Sequence, residues 1–200
     1  MHKNGLDRVF LLADDASHKV KYLMALGLGI PCLHFDWVRH CMEEQSEKDW
    51  QPYLLSAGTS VVLGARVSQM VDLDWGNTSL FVEEIMENHV AAKLFADKVV
   101  LCISPDYVPG KQTNRKEKAY RGVPRIILCM GATEVEAVAD ARTASRKLQD
   151  YDYVVVKDPA AMQRIKTAHS SANCVHLPWV KECLVTGRLL PINHPQLPSS

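Results

Sequence analysis

Residues 32–42 read CLHFDWVRHCM, and residues 174–184 read CVHLPWVKECL. Aligned, Cys32, His34, Trp37, Val38 and Cys41 fall on Cys174, His176, Trp179, Val180 and Cys183. Most other pairs are like for like: Leu33/Val175, Phe35/Leu177, Arg39/Lys181 and Met42/Leu184. Five identities in eleven positions, one of them Trp, mark an internal duplication. Each copy begins with a short apolar run, passes through Asp36 or Pro178, and continues as a helical pattern. Asp is a good helix cap, and Pro suits a first helical turn because the N–H it lacks would have no partner there. Trp, Val and Cys at i, i+1 and i+4 share one helix face. Each phrase therefore predicts a short strand, a tight turn and a helix that buries a Trp.

The likeness extends upstream. Residues 8–15, RVFLLADD, precede a helical stretch at 17–28; residues 151–158, YDYVVVKD, precede another at 160–170. Strand, helix, strand and Trp-bearing helix, twice over, resemble the C-terminal half of a BRCT repeat. The pair is similar to the tandem BRCT repeats of DNA-damage checkpoint mediator proteins, whose late helix carries the same W-V-x-x-C pattern. The resemblance covers residues 8–44 and 98–193. It implies an α/β fold of two BRCT-like repeats, each a small parallel sheet flanked by helices. Residues 1–44 are expected to form a partial repeat, 45–97 a connector, 98–193 a complete repeat and 194–200 a flexible tail. A complete repeat opens with a strand, a helix and a second strand, and seven residues precede Arg8. The first repeat is thus expected to be incomplete, with its first strand left as an apolar edge.

Composition narrows the function. The 200 residues are 47% hydrophobic, enough for a proper core, and 23 basic residues balance 23 acidic ones. A neutral chain argues against non-specific nucleic-acid binding, which depends on many phosphate contacts, and no sequence-specific nucleic acid is expected as a direct partner. No apolar run approaches the roughly 18 residues of a membrane span, and the N-terminus lacks the apolar core of a signal peptide. Six cysteines raise the question of disulfides or metal. Four lie in the duplicated phrases on apolar faces, where free thiols behave as small buried hydrophobes. Cys32, His34, His40 and Cys41 cluster, but they alternate along a strand and a helix rather than pairing on turns as structural zinc ligands do. No metal or cofactor is expected. Trp37, Trp179, Cys41 and Cys183 are assigned to the structural core.

In the connector, QPYLLSAG at 51–58 resembles the inter-repeat segment of the checkpoint mediators. Residues 59–70 alternate as paired strands would, and 80–95 read as an amphipathic helix with Glu83 and Glu84 early, as the helix dipole prefers. Residues 98–103, KVVLCI, open the second repeat. A polar loop at 105–118 follows, whose Lys111, Arg115, Lys116 and Lys118 form either a solvated surface or a basic import signal. Beyond it the pattern predicts a helix at 119–130, a strand at 134–139 and a short helix at 143–149.

Signatures of catalysis are missing from the sequence: no Gly-rich phosphate loop, no G-x-G-x-x-G after a strand, no nucleophile elbow. An α/β enzyme is the least favoured of three readings. The helix at 17–28 carries Lys19 and Lys21 near its start. Cations there oppose the macrodipole, whereas an anion is favoured, so either the lysines answer a bound anion or they belong to a solvated face. In phosphopeptide-binding BRCT pairs, a lysine in a K-Y-[FL] motif contacts the phosphate. Lys21-Tyr22-Leu23 matches it, which implies Lys21 as the phosphate contact and Lys19 as a second. Where the family often holds a peptide-contacting Arg, three residues earlier, stands His18, mostly neutral at pH 7 and a weaker contact. The family's Ser/Thr-Gly after its first strand would lie upstream of Met1. Its second-repeat counterpart, Ser104, is followed by Pro105, which has no N–H to give. The resemblance implies a nuclear, non-enzymatic adaptor of the DNA-damage response. Its partners would be a phosphorylated protein such as a phosphorylated histone tail, and other checkpoint or repair proteins. The rival is a scaffold that docks a partner protein without regard to phosphorylation.

Overall fold

The first duplicated unit folds as β1 (Leu11–Ala13), α1 (Val20–Leu28), β2 (Cys32–His34) and α2 (Asp36–Glu43), with β1 and β2 parallel. The computed structural model describes residues 9–73, 93–108, 121–195 and 197. The connector contributes an antiparallel hairpin, β3 (Ser56–Ser60) and β4 (Ala65–Ser68). The second unit contains β5 (Val99–Ile103), α3 (Val123–Cys129), β6 (Glu134–Val138), β7 (Tyr153–Val156), α4 (Pro159–Ala168), β8 (Cys174–His176) and α5 (Leu177–Thr186). Its four strands lie in the order β6-β5-β7-β8, all parallel. The pair β1-β2 thus repeats β7-β8, as the duplicated phrases require. Buried on both faces, β5 and β7 read as continuous apolar runs, VVLCI and YVVV.

The repeated residues do matching work. In each copy the indole N–H donates to a carbonyl beyond its helix: Trp37 Nε1 to Lys48 at 2.9 Å and Trp179 Nε1 to Pro191 at 3.1 Å. Each second cysteine receives a backbone N–H seven residues on, Cys41 Sγ from Lys48 at 3.3 Å and Cys183 Sγ from Leu190 at 3.2 Å. Indole and thiol together tie the exit chain to the helix. The histidines each accept a backbone N–H at the helix start, His176 as the N-cap of α5 and His34 one residue before the N-cap Phe35 of α2. His176 Nδ1 accepts from Trp179 N at 3.1 Å, and His34 Nδ1 accepts from Asp36 N at 3.3 Å. Asp36 is therefore not the cap that the sequence suggested; it is the first helical residue and pairs with Arg39 at 3.0 Å.

The copies differ in depth. Trp179 is 1% exposed and Cys183 fully buried, in a core that draws on both repeats. Trp37 and Cys41 are only half-buried, and α2 has no fully buried side chain. Trp37 packs edge-on against Phe10, with ring centres 5.2 Å apart, in a small cluster around Leu33 and Trp50. The reason is local. Sheet β1-β2 has two strands among the described residues, against four in the second unit, so less apolar surface lies beneath the helix. Leu12, at the centre of β1, is 45% exposed.

The remaining edge of β2 is closed by a side chain. Gln69 accepts from Cys32 N at 2.9 Å and donates to the carbonyls of Cys32 and Leu55 at 2.7 Å each. Leu55 N also donates to Cys32 O at 2.9 Å.

Other expectations fare unevenly. The short helix expected at 143–149 is replaced by two 3-10 turns, Ala141–Thr143 and Leu148–Asp150, the first capped by Asp140. The tail is not free throughout, because Leu197 is buried in the shared core. The helix expected at 80–95 lies outside the described residues up to residue 92, and residues 94–97 form a turn that buries Phe95. The basic part of the loop, 109–120, lies outside them too.

Burial asymmetry sets unequal costs for removing the two indoles. Trp179→Ala is expected to lower unfolding free energy by about 3–5 kcal/mol, the range for deleting a large buried aromatic. Trp37→Ala is expected to cost clearly less. Urea unfolding of the two variants measures the difference, and equal costs would contradict the assignment of a shallower first repeat.

Candidate functional site

Helix α1 is shared between the repeats. Tyr22 and Ala25 pack with Cys32 under the first sheet, while Leu23 joins the core of the second repeat and Val20, Met24 and Leu26 pack against it. The helix lies against α3 and α5. Two glycines allow the close approach. A Cβ at Gly27 would lie 3.2 Å from the Cys129 backbone, and one at Gly122 would overlap the Val20 side chain. Tyr22 fixes the helix to the connector by donating to Ser56 O at 2.6 Å; burial pushes its phenol well above the ordinary value. The connector is fixed in turn to α5. Ser60 and Val62 N both donate to the buried Glu182 carboxylate, the latter at 3.0 Å.

With Tyr22 and Leu23 turned inward, Lys21 is left exposed in the first turn. Lys19 stands at the N-cap, before the helix, and is also exposed. Its N–H is met by Ser17 Oγ at 3.0 Å. Neither ammonium forms an ion pair among the described residues. His18 is exposed near α5. Partial desolvation and then the Lys181 ammonium push its imidazole below the ordinary value, with Glu182 opposing. His18 and Ser17 line a cleft of about 280 Å³ with Asp15, Ser56, Thr59 and Arg66. Arg66 is the residue that sequence reasoning missed. It bonds Asp15 at 2.9 Å and Ser56 Oγ at 3.2 Å, and puts a permanent cation beside the neutral His18. Its position on a hairpin facing α1 is tertiary, and no local signal announces it. Neither Lys19 nor Lys21 lines this cleft.

In the second repeat, Ser104 caps the turn Pro105–Tyr107 by accepting from Asp106 N at 3.2 Å, and Asp106 pairs with Lys157 at 2.6 Å. The first-repeat cysteines and histidines do not converge. Cys32 is fully buried, His34 faces Asp36 at 3.1 Å, and His40 Nδ1 lies 2.7 Å from the Tyr53 hydroxyl. Among the described residues no group of three or more His, Cys, Asp or Glu side chains is placed to hold a metal ion.

The strand order, the repeated Trp helix and the interlocking of α1 with α3 and α5 give a mixed α/β fold of the tandem BRCT kind. The chain is similar to DNA repair protein Crb2 of Schizosaccharomyces pombe, with 25% identity over 184 residues, 90% of the chain. It spans 22% of that relative's length. Its fold matches the BRCT5-BRCT6 domains of S. pombe Brc1 at a TM-score of 0.57 and 18% identity, covering 92% of this chain and 80% of that one. No family model matches the chain.

Packing at α1 is testable through its glycines. Gly122→Ala forces Val20 to move, and is expected to destabilise the chain by about 1–3 kcal/mol, the usual cost of overpacking. Thermal unfolding measures it, and a Val20→Ala change in the same chain should recover part of the loss. The thiols give a second test. Burial pushes Cys32 and Cys183 up to about 12 and Cys174 up to about 11, leaving almost no thiolate at pH 8. Cys41, half-buried, is expected to react first with an alkylating reagent under native conditions, as peptide mass mapping would read out.

Proposed function

We propose that the chain is a non-enzymatic interaction module of the DNA-damage response that binds a phosphorylated peptide, such as a phosphorylated histone tail, in the nucleus. Residues 1–44 supply the C-terminal half of one BRCT repeat, 45–97 the connector and 98–193 a complete repeat. Lys21 contacts the phosphate, Lys19 adds a second positive charge from the N-cap, and His18 makes a weaker contact with the peptide. The observation that carries this reading is Lys21 itself: an exposed cation in the first turn of α1, without an ion pair among the described residues, on a helix held rigid from both sides. A phosphoserine bearing close to two charges is suited to that place, where first-turn N–H groups and an exposed ammonium lie in the same turn of the helix. Similarity to Crb2, a DNA repair protein, supports the cellular setting.

The second reading is a phosphorylation-independent scaffold. It draws on the hairpin tip, where Val61 and Leu63 are 66% and 50% exposed on a segment anchored to Glu182.

Fluorescence anisotropy with labelled peptides separates the two. A phosphoserine histone-tail peptide is expected to bind at least about tenfold more tightly than its unphosphorylated twin, since a charge-assisted contact is worth more than about 1.4 kcal/mol. Lys21→Ala should remove that difference. Equal affinity for both peptides, unmoved by Lys21→Ala, would retire the phosphate reading; loss of partner binding on Val61→Asp would then favour the scaffold.

A further inference from the structure

The second repeat carries a cleft that shares no residue with α1 or the connector. It is open, about 570 Å³ in volume, and formed by the β6–β7 loop and the turn between α4 and β8. Its polar lining is one-sided. Arg142, Arg146, Lys147 and His169 face it with the hydroxyl-bearing Ser145 and Ser171, and no carboxylate lines it. Of its three permanent cations, Arg142 and Arg146 are paired with Asp140 and Glu134, and Lys147 has no ion pair among the described residues.

The loop is held in place from behind. Asp140 caps its first turn, accepting from Arg142 N at 2.9 Å, and the Arg142 guanidinium holds the Asp140 carboxyl down to about 2. Glu136 accepts from Ser145 N at 2.8 Å and from the Tyr151 hydroxyl. Arg146 reaches back to Glu134 at 2.7 Å. These carboxylates anchor the loop, two of them through the arginines that line the cleft. Lys147 is exposed, lines the cleft and has no ion pair among the described residues. Surface ion pairs such as Arg142–Asp140 and Arg146–Glu134 are worth little in water, so both guanidinium groups can turn to an incoming anion at small cost.

We propose that this cleft is a second binding site, for an acidic or phosphorylated peptide segment of a partner protein, with Lys147 as its central contact. A peptide fits better than a nucleic acid. His169 is the one aromatic ring in the lining, with no Phe, Tyr or Trp to stack successive bases, and the balanced charge of the chain gives no extended track for a phosphate backbone.

The experiment is a ¹H–¹⁵N titration of the 200-residue chain with three ligands: an Asp/Glu-rich octapeptide, the same peptide carrying one phosphoserine, and a short DNA duplex. The acidic peptides are expected to shift amides within 141–149 and 169–171. Lys147→Glu should weaken them at least about tenfold, with Lys147→Gln intermediate, as a contact made by one charge requires. Lys21→Ala should leave these shifts unchanged, which keeps the outcome separate from that of the α1 site. Shifts confined to α1, no shifts at millimolar peptide, or affinity indifferent to Lys147 would each overturn the proposal. Tighter, Lys147-dependent binding of the duplex would replace it with a nucleic-acid site.

Discussion

One helix has two jobs in this molecule, and most of its architecture follows from that. α1 closes the first sheet with Tyr22 and Ala25 and, a residue away, inserts Leu23 into the core of the second repeat. The faces are compatible only because the backbone comes close to its neighbours, at Gly27 against Cys129 and at Gly122 against Val20. A side chain at either glycine would push the repeats apart. Apolar burial then provides the driving force, and the glycines set the distance over which it acts.

The connector makes the same joint polar. Its hairpin meets α1 through Tyr22 and Ser56, and meets α5 through Ser60, Val62 and Glu182. Glu182 is a buried carboxylate, costly unless its oxygens are well supplied with donors, and the hairpin supplies them. Removing that carboxylate would leave Ser60 and Val62 N searching for partners in a dry interface. Hairpin, α1 and α5 therefore form one mechanical unit, and the exposed residues at the start of α1 inherit its rigidity.

Much of this was legible in the chain. The paired phrases disclosed two like units, their parallel strands and the Trp helices, because burial and helical spacing leave periodic marks. The connector hairpin was visible in part: the alternation at 59–70 covers its second strand, Ala65–Ser68, but only the end of its first, Ser56–Ser60. What escaped depended on partners distant in sequence. Identical phrases implied equal depth for Trp37 and Trp179, but depth is set by the sheet beneath each helix. No role was read for the repeated histidines, although each accepts a backbone N–H at the start of its helix and their identity in both copies was itself a hint. Segment 143–149 looked helical, but Asp140 and the β6 carboxylates recruit its polar groups into turns instead. The exposed lysines of α1 were legible by motif; Arg66, brought alongside by the hairpin, was not.

Gln69 carries a last consequence. A carboxamide has the same donor and acceptor as a peptide group, and here it occupies the slot where the next strand's backbone would hydrogen-bond to β2. With Leu55 beside it, the flank of the first sheet is saturated on that side. A further strand is denied this route onto β2, because the amide and the Leu54–Leu55 backbone already hold its hydrogen-bonding groups.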